Sequence, residues 1–325
     1  MTVSAEHEVK SLGEYACLAI KKHLKKTLKW ESEVKQDKDP EALHQMRVGI
    51  RRLRTAISRF DHFLKLPKAA SEKNIGKIGR RLGTLRDLDV LQETLKNIYL
   101  PNLPPKEQKY LQVALETLDK QRDKAIVEVK AVLTNELYQS CVKSLKKWLE
   151  SPEYKPLASL AVEIVLPDLL LPELSLFLLH PAWLVGTQVK GVDKIIVPTD
   201  WQPTQVEQQL ASEGKIVHDL RKQAKCLRYQ MELFTELYGD SYKGYIAEVK
   251  RIQEILGSIQ DSMVLDEWLL KIFKSGLKSK LPTLTNLFVE NRYQMWQEWQ
   301  SLQIKYLLPE TRKDFHLTIL NPQFS

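Results

Sequence analysis

Between Pro40 and Phe60 apolar residues return every three or four positions, at Leu43, Met46, Ile50, Leu53, Ile57 and Phe60. At about 100° per residue they form one stripe, the pattern of an amphipathic helix. Asp39 suits the N-cap of that helix and Pro40 its first turn. Beside the apolar stripe runs a second row, His44, Arg47, Arg51 and Arg54, with no acid in it. Surface helices ordinarily mix the signs of their charges. Arginine carries a permanent charge and a planar fork of donors that fits phosphate oxygens. A solvated basic face is the alternative reading of the same row. Arg52 and Arg59 fall off it and are expected to contribute little.

Both rows return 174 residues later. Val217, Leu220, Ala224, Leu227, Met231 and Phe234 repeat the apolar stripe, and His218, Arg221, Lys225 and Arg228 the basic one. The offset persists downstream. Ile78, Leu82, Gly83, Asp87, Val90, Leu91, Glu93 and Leu95 meet identical residues at Ile252, Leu256, Gly257, Asp261, Val264, Leu265, Glu267 and Leu269. A repeat of this length predicts two similar structural units. A mid-helix glycine costs about 1 kcal/mol against alanine, so its return at Gly83 and Gly257 points to close helix packing. Asp87 and Asp261 are expected to hold an arginine of the preceding helix in position.

The remaining pattern predicts an all-α chain. A first helix spans Val9 to Val34, and the helix of the basic row runs to about Leu66. After a turn, a third helix covers Glu72 to Tyr99 and carries Lys77, Arg80, Arg81 and Arg86. A fourth runs from Pro105 to Glu150, with a break near Thr134 to Glu136. Arg122 falls in the middle of its apolar stripe, where a charge is costly unless paired, and is read as facing a polar channel. Residues 151–208, rich in proline, leucine and valine, read as an irregular connector packed on the bundles, with a short strand near Lys190. The second half repeats the plan: a basic helix to about Tyr238, a partner helix from Tyr242 to Ser275 with Lys250 and Arg251, and a last long helix from Pro282 to Leu307 with Arg292. The tail from Pro309 reads as a loose terminus. The expected organisation is therefore 1–150, 151–208 and 209–325.

Composition narrows the partner. Hydrophobic content of 43% and charged content of 28% are those of a soluble globular protein, and only 12 glycines argue against an all-β or loop-rich fold. The net charge is +8 and favours an anionic ligand. Its placement matters more. From His44 to Arg86 there are 12 Lys and Arg against two acids, Asp61 and Glu72. The three cysteines, Cys17, Cys141 and Cys226, are far apart and suit a reducing compartment without a metal site. The N-terminus has acids and no apolar core, so no secretory signal is expected. The apolar region Leu157 to Val185 is broken by Pro167, Pro172 and Pro181, against a membrane span. A cytoplasmic protein is expected.

HQMRVGIRRLR followed by LGTLRDLDVL resembles the CHAD family, a histidine-bearing α-helical domain built of two helical-bundle halves. The likeness covers about Val9 to Leu307, in both halves. It implies a binder of inorganic polyphosphate, held in a basic channel between the bundles, with granule targeting, storage or control of a partner as the service. The second copy departs at Lys225 for Arg51, Cys226 for Arg52 and Gln260 for Arg86, so its charge is thinner. Glu6, Glu8 and Lys10 spell the ExExK signature of the triphosphate tunnel enzymes that accompany such domains, but the residues that follow read as helix, so the match is read as chance and the domain as standing alone.

The polyphosphate contacts expected are His44, Arg47, Arg51, Arg54, Lys77, Arg80, Arg81, Arg122, His218, Arg221, Lys225, Arg228, Lys250, Arg251 and Arg292. No P-loop, HExxH or CxxC motif occurs, and phosphoanhydride hydrolysis ordinarily needs carboxylate-held metal ions that these basic windows do not provide. A binder without catalysis, cofactor or metal is expected. Nucleic-acid binding is the second reading. Base stacking would need aromatics among the arginines, and Phe60 and Tyr229 lie off the basic rows.

Overall fold

The computed structural model describes residues 11–191 and 194–323. The Glu6–Lys10 motif and the start of the first helix at Val9 lie outside them. Two compact units emerge. The first holds residues up to Ile98 together with Leu115–Leu166, and the second Tyr99–Ala114 and the chain from Pro167 onwards.

The first unit contains α1 (Leu12–Lys29), α2 (Glu31–Gln36), α3 (Pro40–Phe60), α4 (Glu72–Thr94), most of α5 (Pro105–Thr134) and α6 (Glu136–Glu150). Ser11 and Glu14 close a reciprocal capping box at the start of α1. Asp39 caps α3 by accepting from the Glu41 amide at 2.8 Å, with Pro40 in the first turn. Asn135 ends the α5–α6 break by accepting from the Tyr138 amide at 2.9 Å. All six apolar residues of the α3 stripe are buried, none more than 4% exposed. At Gly49, a Cβ would stand 3.0 Å from the Thr27 backbone. Only glycine lets α1 and α3 approach this closely.

In the second unit come most of α7 (Val162–Leu178), a hairpin of β1 (Gln188–Lys190) and β2 (Lys194–Ile196), α8 (Pro203–Leu233), α9 (Asp240–Phe273), α10 (Leu277–Lys280), α11 (Pro282–Leu307) and α12 (Pro309–Leu320). Of the six repeated apolar residues, five lie on α8 and Phe234 is its C-cap, and all six are buried. The expected boundaries shift here, because residues 99–114 belong with the second unit. Tyr99 meets Phe288 edge-on at 4.9 Å, and the Glu107 carboxylate accepts from the Thr283 and Leu284 amides, capping α11.

The connector is not an irregular stretch. Its apolar run forms most of α7 despite Pro167 and Pro172 inside the helix, since burial of Leu166, Leu170, Leu174 and Phe177 outweighs the lost donors. Beyond it Trp183 stacks on Tyr306 at 5.1 Å, and Trp201 on Trp296 at 5.6 Å. Gln303 on α11 donates to the Trp183 and Val185 carbonyls at 2.8 and 2.9 Å. Gly186, at φ 73°, turns the chain between Trp201 and Trp296, where a Cβ would lie 2.9 Å from an indole. The tail is not loose either. It forms α12, which buries Phe315 against Tyr245 and also buries Ile319.

Each unit is tied by one arginine. On α5, Arg122 donates to both Asp37 oxygens at 2.8 and 2.6 Å and to Asp89 at 2.8 Å. Asp37 closes α2 in the left-handed conformation, which aspartate tolerates. On α11, Arg292 donates to both Glu207 oxygens at 2.6 and 2.7 Å and to Ser262 at 3.1 Å, with Asp266 3.6 Å away. These clamps join equivalent helices, but each partner is displaced by about one turn from the 174-residue register, so the repeat does not align them.

Arg122→Leu should lower unfolding stability by about 3 kcal/mol, because two carboxylates lose their partner. Arg80→Leu, at an exposed position of α4, should change it by less than about 0.5 kcal/mol. Equal urea midpoints for the two variants would show that the clamp does not hold the unit.

Candidate functional site

The basic row of α3 lies where the helix meets both α4 and solvent. His44, Arg47 and Arg51 are half-buried and Arg54 is exposed. Opposite them α4 presents Gly76, Gly79 and Gly83, spaced to share one face. Arg47 Nη1 donates to the Gly79 carbonyl at 3.3 Å. A Cβ on Gly83 would stand 2.5 Å from that same nitrogen, and one on Gly76 3.3 Å from the Arg54 guanidinium. The glycines are therefore a trough in which the arginines lie. Two carboxylates on α4 orient them: Asp87 stands 3.9 Å from Arg47, and Glu72 pairs with Arg54. The packing expected at Gly83 is thus packing against an arginine of the row.

The second unit repeats the device. Arg221 crosses Gly257, where a Cβ would lie 3.2 Å from its Nε, and stands 3.3 Å from Asp261. Arg228 donates to Gln253 at 3.0 Å, pairs with Glu232 and lies over the Tyr229 ring at 4.5 Å. Tyr229 is 7% exposed, so it supports the arginine from beneath. Lys225 is half-buried beside them.

Both histidines of the rows titrate below the usual imidazole range. For His44 burial is the main cause, followed by Arg86, with Arg51 and Arg47 adding to it. For His218 burial again leads, followed by Lys222 and Arg221. Both rings are neutral at neutral pH, and each can take up a proton if an anion arrives. Arg86, absent from the expected contacts, is half-buried and acts on His44. Its signal in the sequence was its place one turn beyond Gly83, on the side of α4 nearer the core.

The structure brings together His44, Arg47, Arg51 and Arg54, with Lys77 and Arg80 exposed on the solvent side of α4. It likewise groups His218, Arg221, Lys225 and Arg228, with Lys250 exposed on α9. Four expected contacts stand elsewhere. Arg81 is two residues from Gly83 and so about 160° round the helix from the trough. Arg251 turns to α11 and pairs with Glu298. Arg122 and Arg292 are the clamps, each committed to carboxylates. Among the described residues no three His, Cys, Asp or Glu side chains are grouped to hold a metal ion, and no helix is long and apolar enough to cross a membrane. Each face offers N–H donors and fixed positive charge, and the carboxylates beside it are engaged with its arginines.

Comparison with known proteins places the fold. The chain is similar to a crystal structure of the CHAD domain from the plant Ricinus communis, with a TM-score of 0.61 and 22% identity over 100% of this chain and 98% of that one. It is also similar to PptA from Streptomyces chartreusis, with a TM-score of 0.59 and 13% identity over 94% of this chain and all of that one. No curated protein sequence matches. The model of the CHAD domain matches residues 18–270, which span both basic helices and both glycine-bearing partners, and the chain belongs to the CHAD family.

Proposed function

We propose that the protein binds inorganic polyphosphate on these basic faces without cleaving it. The observation that carries the reading is the acid-free row of arginines seated against glycines in each unit. Arg47 and Arg221 stand 3.9 and 3.3 Å from exposed carboxylates and present positive charge to an incoming anion. Asp87 is 77% exposed and does not neutralise Arg47. A linear polymer with about one charge per phosphate sheds counterions as it docks, by analogy with nucleic acids. The neutral histidines add donors and take up protons once phosphate is near. Binding of this kind suits a cytoplasmic protein recruited to polyphosphate granules.

The test is competition in filter binding. Long-chain polyphosphate should displace RNA and DNA, and its length should be unchanged after incubation with magnesium. Arg47, Arg51 and Arg54 changed together to Gln should fold, weaken binding by at least about tenfold, and flatten the plot of log affinity against log salt by about 2. An RNA that bound more tightly than polyphosphate at equal salt would favour the nucleic-acid reading instead.

A bound polyanion raises the pKa of His44 and His218, so binding takes up protons. Affinity should therefore rise as pH falls through the bound-state pKa and level off below the free-state pKa, both windows lying on the acid side of neutrality for the free protein. The double variant His44→Gln and His218→Gln should lose this slope. An unaltered slope in that variant would remove the histidines from the site.

Gly83→Ala probes the trough directly. Alanine favours the helix by up to about 1 kcal/mol, and the atom it meets is the mobile tip of Arg47. Thermal stability should hold or rise while polyphosphate affinity drops several-fold. Binding equal to wild type would mean that the seat of Arg47 is irrelevant to the ligand.

A further inference from the structure

Within the second unit, the start of α9 and the end of α12 border a cavity of about 550 Å³, a size ordinary for a small-molecule site. Tyrosines make much of its wall. Tyr238 and Tyr242 stack at 3.9 Å, and Tyr245 stacks on Phe315 of α12 at 4.0 Å. Glu248 and Asp314 line it, and among the described residues no lysine or arginine does. Both acids act on one ring: burial, then Asp314, then Glu248 raise the Tyr245 phenol above its usual range. Glu248 accepts from Lys305 at 2.5 Å and from the Tyr306 hydroxyl at 3.0 Å. The exposed Asp314 carboxylate makes no hydrogen bond or ion pair among the described residues.

The polar groups of the lining turn their donors into the protein. The Tyr238 hydroxyl donates to the Ile319 carbonyl at 2.9 Å and that of Tyr242 to Met231 at 3.0 Å. On α12 the Thr318 hydroxyl donates to the Asp314 carbonyl at 2.9 Å, and the Asn321 amide to Leu317 at 2.7 Å. Oxygen lone pairs are left for a ligand, alongside two carboxylates and aromatic rings. The helix ends agree in sign. The last turn of α12 borders the cavity, and its carbonyls carry partial negative charge. Asp240 in the first turn of α9 offsets the positive end of that helix.

Gly244 adds an independent observation. It is the fifth residue of α9, and glycine inside a helix is destabilising. Gly83 and Gly257 make room for an arginine, and Gly49 for Thr27, whereas a Cβ on Gly244 would meet nothing within 4 Å. No packing contact accounts for this glycine, and it lines the cavity. Its missing side chain keeps the cavity open.

We infer that this cavity binds a small aliphatic polyamine, its ammonium groups held by Asp314 and Glu248 and its methylenes lying along the tyrosines. An alkylammonium brings only donors and positive charge, which the lining lacks, and cations favour aromatic walls. The site takes a ligand of the opposite sign to the basic rows and does not depend on the polyphosphate reading.

The test is calorimetric titration of the full-length protein with spermidine, in the absence of polyphosphate. Wild type should bind one equivalent saturably. D314N should weaken binding by about tenfold, the order expected for one lost charged hydrogen bond. E310Q removes the same charge from an exposed position of α12 away from the cavity and should bind as wild type does. G244L fills the opening and should abolish binding while thermal stability holds or rises. Should G244L fail to fold by circular dichroism, D314N against E310Q decides alone. Equal weakening by D314N and E310Q would reduce the effect to diffuse charge and overturn the site, as would wild type that takes up no spermidine at millimolar concentration. Polyphosphate affinity should be unchanged in D314N, so the two readings stand or fall separately.

Discussion

The close approach of arginine-bearing and glycine-bearing helices sets the rest of the structure. An arginine on the margin of a packed helix either points freely into water or is laid along its neighbour. Along α4, the missing side chains at Gly76, Gly79 and Gly83 leave room for the second arrangement. Each such glycine costs the helix about 1 kcal/mol, which the buried stripes of α3 and α4 must offset. What the trough supplies is a guanidinium with few rotamers left to lose when a ligand arrives. Less ordering entropy is then spent on binding, which is the general advantage of a preorganised site.

Much of this was legible from periodicity. The α3 stripe, its Asp39 cap, the break at Asn135 and the span of α11 all follow local rules, and the structure repeats them. The 174-residue offset located the second arginine–glycine pair, because α8 and α9 preserve the spacing of α3 and α4. Features settled by distant contacts were not legible. The two prolines of α7 read as breakers, and the burial of Leu166, Leu170, Leu174 and Phe177, with Trp183 and Trp201 packed on α11, shows why the segment is ordered. The register of the clamps was hidden as well. One turn of slippage between α5 and α11 moves Arg292 away from the position that matches Arg122.

Charge counts alone would make the two units equivalent in kind and different only in amount. Their geometry makes them different in kind. The first unit carries Arg52 and Arg59 on the side of α3 away from α4, and the second has Cys226 and Leu233 there, with Gln223 and Gln230 both bound to Glu173 of α7. Exposed charges farther apart than a Debye length of about 8 Å contribute little to each other in physiological salt. A polyanion therefore senses the local arrangement around each helix more than the total of +8.

The same residue type serves two opposite ends, and the number of carboxylates within reach decides which. Arg122 has two, both closer than 3 Å, so the cluster carries net negative charge and would repel phosphate. Arg292 has Glu207 in bidentate contact and Asp266 nearby, with the same consequence. Asp87, exposed, stands 3.9 Å from Arg47, and Asp261 3.3 Å from Arg221, neither in the bidentate contact of the clamps. A stripe diagram cannot separate these cases, because the acids that neutralise the clamps come from other helices. What separates clamp from row is therefore how tightly carboxylates hold the guanidinium, since Arg47 and Arg122 are about equally buried. Each clamp is held by two carboxylates, whereas Arg47 and Arg221 are seated on glycines with a carboxylate at longer range.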